Sequence, residues 1–221
     1  MNTQLHQVSR PLARPGPEEW RAYLRFLFWF CALFFPIYFG AGYLTDGSGR
    51  ATAMYLPAET AIPLVPSMII VYLSLYSVFV LPLLHMSAAD INTLSRQSTL
   101  ALLVAGIGFI AIPGQLGFSP HIVEGWAKPA FDILLAINPP HNLVPSLHVT
   151  FAAMIFLAVI PHAPKPLAWL YGIWLALLSL STLLAHQHHL IDVATGFMLA
   201  AFARAVFPNA DELMPAKPGD V

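Results

Sequence analysis

Charge is what this chain has least of. Only 10% of its 221 residues are charged, ten Lys or Arg against eleven Asp or Glu, where a soluble domain carries about 25%. With 57% hydrophobic residues and a mean hydropathy of +0.68, the chain cannot cover a water-facing surface. It is expected to be a membrane protein. A single cysteine, Cys31, excludes an internal disulfide, and its place inside an apolar run suits a small packed hydrophobe. There is no internal repeat and no low-complexity tract, which excludes repeat architectures. No nucleic acid is expected among the partners.

What the chain does have is apolar runs. Phe26 to Leu44 is uncharged and about long enough, at 1.5 Å per residue, to cross a ~30 Å hydrocarbon core. It is too long for the ~7–15 residue core of a signal peptide and no A-x-A site follows it. Further runs extend from Leu64 to Leu84, Ser98 to Phe118, Val144 to Pro161, Pro166 to Ala185 and Leu190 to Phe207. Six spans place both termini on one side. Eight of the ten Lys and Arg residues flank that side, with Arg50 and Lys128 on the other, so both termini are expected in the cytoplasm. The expected organisation is a polar N-terminal arm (1–25), a six-span domain (26–207) and a tail (208–221) with the composition of a disordered end. Of the two long loops on the opposite face, residues 119–143 are expected to hold an interfacial helix beside the site.

The chemistry gathers at that face. Within Ser181 to Gly196, reading STLLAHQHHLIDVATG, Asp192 follows His188 by four residues. On a helix that spacing stacks the two side chains, so the carboxylate can hold Nδ1–H and leave Nε2 as a nucleophile or base. A second stretch, PSLHVTF from Pro145 to Phe151, offers Ser146 as a helix cap and His148 in the first turn. The fourth and sixth spans both run inward from this face. Their starts present free amides and positive dipole ends, which suits an anion. This arrangement fits phosphoryl transfer through a phosphohistidine, with His188 attacking, Asp192 steadying it, and His148 exchanging the proton of the leaving or incoming oxygen. Helix-end amides make a metal or cofactor unnecessary in this scheme. For His186 and His189, loop polarity and substrate contact stand as equal readings.

The chain resembles the type 2 phosphatidic acid phosphatase (PAP2) superfamily of membrane lipid phosphatases and phosphotransferases. PSLH at Pro145 to His148 is similar to that family's second motif, PSGH. STLLAHQHHLID is similar to its third motif, SRxxxxxHxxxD, and VATG matches the usual continuation. The resemblance covers roughly 119–207 and implies an all-α six-transmembrane bundle with His188, Asp192 and His148 as catalytic residues. It also implies a phospholipid or lipid phosphate as substrate. Thr182 stands in place of the third-motif arginine, and the first motif, KxxxxxxRP, is absent. Other donors must then hold the phosphate, with Gln187, His186, His189 and Lys128 as candidates beside Ser146. Loss of the first motif, with PSLHV and a QHH-x-x-D pattern, is similar to the inositol phosphorylceramide and sphingomyelin synthases, which pass a phospho-headgroup to a lipid alcohol. A bacterial inner membrane with a periplasmic site is the expected location. A contrasting reading makes His148, His186, His188, His189 and Asp192 the ligands of a metal.

Overall fold

The computed structural model describes residues 14–118 and 123–209. The first part of the arm, with Arg10, the first four residues of the 119–143 loop and the tail from residue 210 lie outside the described residues. Among those described, the chain is all-helical. The helices are α1 (Pro17–Thr45), α2 (Met68–Leu73), α3 (Leu75–Val78), α4 (Leu81–His85), α5 (Ala88–Ala111), α6 (Lys128–Ile137), α7 (Leu147–Val159), α8 (Lys165–Leu184) and α9 (Leu190–Val206). Three of them, α1, α5 and α8, are long and apolar enough to cross a membrane. This is a membrane protein.

The other expected spans take different forms. Leu64 to Leu84 is not one helix but the short α2, α3 and α4. The Ser74 and Ser77 hydroxyls donate to the carbonyls of Val71 and Ser74, and Pro82 brings no amide, so local bonds compete with a continuous ladder. α7 has 13 residues and continues into a 3-10 turn at Ile160–His162, and α9 has 17. At the other end, α1 starts at Pro17, so residues 17–25 belong to the first helix rather than to a loose arm. Pro17 fits the first helical position, and the Glu19 carboxylate accepts the Gly16 amide at 2.9 Å.

α7 is apolar on every side and is therefore the centre of the molecule. All its residues except His148 and Leu157 are buried. Phe151 packs edge-on against Phe30 of α1 with ring centroids 4.9 Å apart. Around α7 stand α3, α4, α5, α8 and α9, while α1 lies outside against α5. The outward face of α1, with Phe28, Trp29, Phe35 and Tyr43, is exposed and suits contact with lipid. α6 follows a 3-10 turn at Gly125–Ala127 and buries Leu134, while Ile133 and Leu135 are exposed.

Candidate active site

The site is built where α7 and α9 begin. Ser146 precedes α7, and its backbone N–H donates to the Asp192 carbonyl in the first turn of α9 at 3.0 Å. Its hydroxyl accepts the Val149 amide at 3.3 Å, so Ser146 is the helix cap. The next helix pair contact is closer still. Gly196 of α9 lies against Ser146 and Val149, and Thr150 Oγ1 donates to the carbonyls of both Ser146 and Gly196. Only a glycine lets the two backbones approach in this way. The two helix starts are thereby locked together.

His188 reaches this junction through a sharp turn. α8 stops at Leu184, and His186 takes a left-handed conformation with φ +54°, a region where His is among the more tolerated residues. The amides of Gln187 and His188 both donate to the Thr182 carbonyl. Thr182 is buried beneath this turn and bonds its hydroxyl to the Ser179 carbonyl. The turn delivers His188 with Nδ1 at 3.2 Å from Asp192 Oδ2. The same oxygen accepts the His189 amide at 2.8 Å, so Asp192 both caps α9 and holds the imidazole. A carboxylate accepts, so Nδ1 carries the proton and Nε2 keeps its lone pair.

His148 presents the complementary tautomer. Its ring stacks on Tyr72 with centroids 3.8 Å apart, and Nε2–H donates to the Tyr72 carbonyl at 2.7 Å. That carbonyl is available because α2 ends one residue later. Nδ1 is then the atom free to take a proton. The hydrogen bond from the Ser146 amide to the Asp192 carbonyl sets the first turn of α7, and with it His148, beside the start of α9. The structure thus brings His148, His188 and Asp192 together, with Ser146 as the cap of the helix that carries His148.

The remaining expected residues divide. Gln187 accepts from Asn138 at 3.3 Å and donates to the Ala185 carbonyl at 3.1 Å. His186 donates Nε2–H to the Ile62 carbonyl at 2.9 Å and stacks on Phe118. His189 Nε2 accepts the Gly117 amide at 2.9 Å, and its ring lies between Tyr55 and Phe118. These two histidines fasten the segments around Ile62 and Gly117 to the turn that opens α9. Lys128 is committed elsewhere, its ammonium 2.6 Å from Asp132 one turn on, both side chains more than half exposed. Among the described residues, no three His, Cys, Asp or Glu side chains are grouped as a metal ion would require.

One residue that builds this junction was not read from the sequence. Glu59, on a 3-10 turn at Pro57–Ala61, is 4% exposed. Its Oε2 accepts the Leu190 amide at 2.7 Å and lies 3.3 Å from His189 Nδ1, while Oε1 accepts the Leu56 amide at 2.8 Å. Proline followed two residues later by glutamate signals such a turn. Its burial against a helix start 131 residues away leaves no local trace. At the start of α9 the His189 and Leu190 amides are therefore held by the Asp192 and Glu59 carboxylates, and at the start of α7 the Val149 amide is held by the Ser146 hydroxyl.

Burial alone would raise the Glu59 carboxyl, but the Leu190 and Leu56 amides and the His189 imidazole outweigh it and hold it below the ordinary carboxylate range. A carboxyl lowered in the folded state stabilises the fold in full above the ordinary value of 4.5, and that stability is lost as pH falls through the lowered value. Thermal unfolding in detergent is accordingly expected to weaken below about pH 4.5, and Glu59→Gln should flatten that acid limb. An acid limb unchanged in Glu59→Gln would remove Glu59 from this role.

Neither a scan against protein-family models nor a search of curated proteins finds a match to this chain.

Asp192→Asn separates the two duties of that carboxylate. The amide oxygen can still accept the His189 N–H and cap α9, but its NH2 group would face His188 Nδ1 and favour the wrong tautomer. Any turnover that depends on His188 Nε2 should fall roughly 10²–10⁴-fold with little change in KM or unfolding temperature. A fall in stability with unchanged kcat would make Asp192 a cap alone.

Proposed function

We propose that the chain is an integral membrane lipid phosphatase or phosphotransferase that acts on phosphorylated lipids at the outer membrane face. The observation that carries this reading is the pair of opposed tautomers. His188 has Nδ1–H held by Asp192 and Nε2 open, and His148 has Nε2–H held by the Tyr72 carbonyl and Nδ1 open. In the first half-reaction Nε2 of His188 attacks phosphorus as the bond to the lipid oxygen breaks, and protonated His148 gives that oxygen its Nδ1 proton. In the second half, water or an alcohol gives its proton back to Nδ1 and takes the phosphoryl group from His188. The Leu147 and His148 amides that open α7 are suited to the equatorial oxygens.

In this reading the long helices α1, α5 and α8, the broken α2–α4 segment and the shorter α7 and α9 make six crossings of PAP2 type. Both termini are cytoplasmic, and in a bacterial inner membrane the site faces the periplasm. The buried Glu59 and His189 contacts draw both outer loops over the start of α9, which favours a lipid alcohol over water as acceptor, since transfer requires water to be kept out. Incubation with a headgroup-labelled lipid tests both halves of the proposal. A new labelled lipid supports transfer and free labelled phosphate supports hydrolysis. Turnover of neither kind across lipid phosphates and phospholipids would refute it.

A further inference from the structure

α1 and α5 lie side by side and run in the same direction, from the Arg25–Asn92 contact at one end to the Tyr38–Phe109 contact toward the other. Near their starts is a groove of about 470 Å³, within the range of ligand sites, about 300–1,000 Å³. Phe207, which follows α9, closes it. It is therefore separated from His188 by the length of α9, about 25 Å at 1.5 Å per residue. Its walls are apolar, from Trp29 and Leu33 on α1 and Leu100 and Leu103 on α5.

Both helices place a cation one turn before those apolar residues. Arg25 precedes Trp29 by four positions, and Arg96, itself on the groove, precedes Leu100 by four. The Arg25 guanidinium donates to Asn92 Oδ1 at 3.0 Å, and Asn92 lies one turn before Arg96 on α5. Asn92 is neutral, and neither arginine forms an ion pair among the described residues. Among the described residues, then, two guanidinium groups without an ion-pair partner stand above an apolar groove. The matching occupant has a negative head and a hydrocarbon tail.

We propose that this groove binds an anionic phospholipid, with its phosphate at Arg25 and Arg96 and an acyl chain against Trp29, Leu33, Leu100 and Leu103. Guanidinium groups pair bidentately with phosphate, and basic recesses between membrane helices favour acidic headgroups. The proposal rests on the chain lying in a membrane and not on its phosphoryl chemistry. The site faces the leaflet opposite the one at which the histidines would work.

Native mass spectrometry of the full chain, titrated with phosphatidylglycerol or with phosphatidylcholine of the same acyl chains, tests it. Phosphatidylglycerol should be retained at about tenfold lower concentration or better. Arg25→Gln with Arg96→Gln should abolish that preference, and Arg25→Lys with Arg96→Lys should keep most of it. Leu103→Trp, which fills the groove and leaves the charges, should weaken both lipids. His188→Ala should change neither. Equal retention of the two lipids by the unaltered chain, or a preference that survives loss of both arginines, would overturn the proposal.

Discussion

Replacing His188 by alanine is expected to abolish turnover of a phosphorylated lipid, by roughly a thousandfold or more, while the protein still inserts and unfolds at nearly the same temperature. The second half of that expectation follows from the bonds made by the side chain. His188 is held at its backbone by the Thr182 carbonyl, and its imidazole has Asp192 as its hydrogen-bond partner. Asp192 keeps the His189 amide when the ring is gone, so the α9 cap survives. His148→Ala should lower turnover by roughly 10²–10⁴-fold, the usual yield of a general acid or base. Because the two rings serve one reaction, the double variant should be little worse than His188→Ala alone. Additive losses, or full activity in either single variant, would show that the rings do not act as a unit.

Gly196→Ala is expected to be as damaging without touching the chemistry. A methyl at this position would stand 2.8 Å from the Ser146 carbonyl oxygen and 3.1 Å from Val149 Cβ. The nearest of these is backbone and cannot rotate away. α7 and α9 must move apart, and overpacking of this kind costs about 1–3 kcal/mol. Ser146 moves with α7, and the Ser146 amide bond to the Asp192 carbonyl that sets His148 against His188 is stretched. Gly172, on α8, provides the matched control, since nothing lies within 4 Å of its added methyl. Gly172→Ala should leave activity and unfolding temperature unchanged or slightly improved, because alanine is the better helix former. Equal behaviour of the two variants, by unfolding in detergent and by turnover, would mean that the α7–α9 seam does not set the site.

The parts of this protein that were legible in its sequence are those encoded within a turn or a run. His188 and Asp192 are four apart at a helix start, and no tertiary information is needed to see that one can hold the other. Six apolar runs were visible for the same reason. The Lys128–Asp132 pair is equally local in its i,i+4 spacing, yet Lys128 was read as a candidate phosphate donor, and the structure pairs it with Asp132 instead. Hydropathy could not show that Leu64 to Leu84 breaks at Ser74, because the break follows from hydroxyl bonds to nearby carbonyls and from the Trp174 indole donating to Ser74 Oγ at 2.8 Å. That break supplies the carbonyl that sets the His148 tautomer. Glu59 was hidden by distance along the chain. Its partner His189 was named as a possible substrate contact because a histidine in such a turn has two uses, and only the fold shows that both its ring nitrogens are occupied.

In the proposed mechanism phosphorus becomes bonded to Nε2 of His188 during turnover. The direct measurement is to mix the full-length protein with a phosphate-labelled lipid, quench within one turnover in alkaline denaturant, and locate the label by peptide mass spectrometry. The account predicts an acid-labile, alkali-stable phosphate on His188, absent from His188→Ala. Product formed with no label on the protein at any time, or label on a residue other than His188, would contradict it.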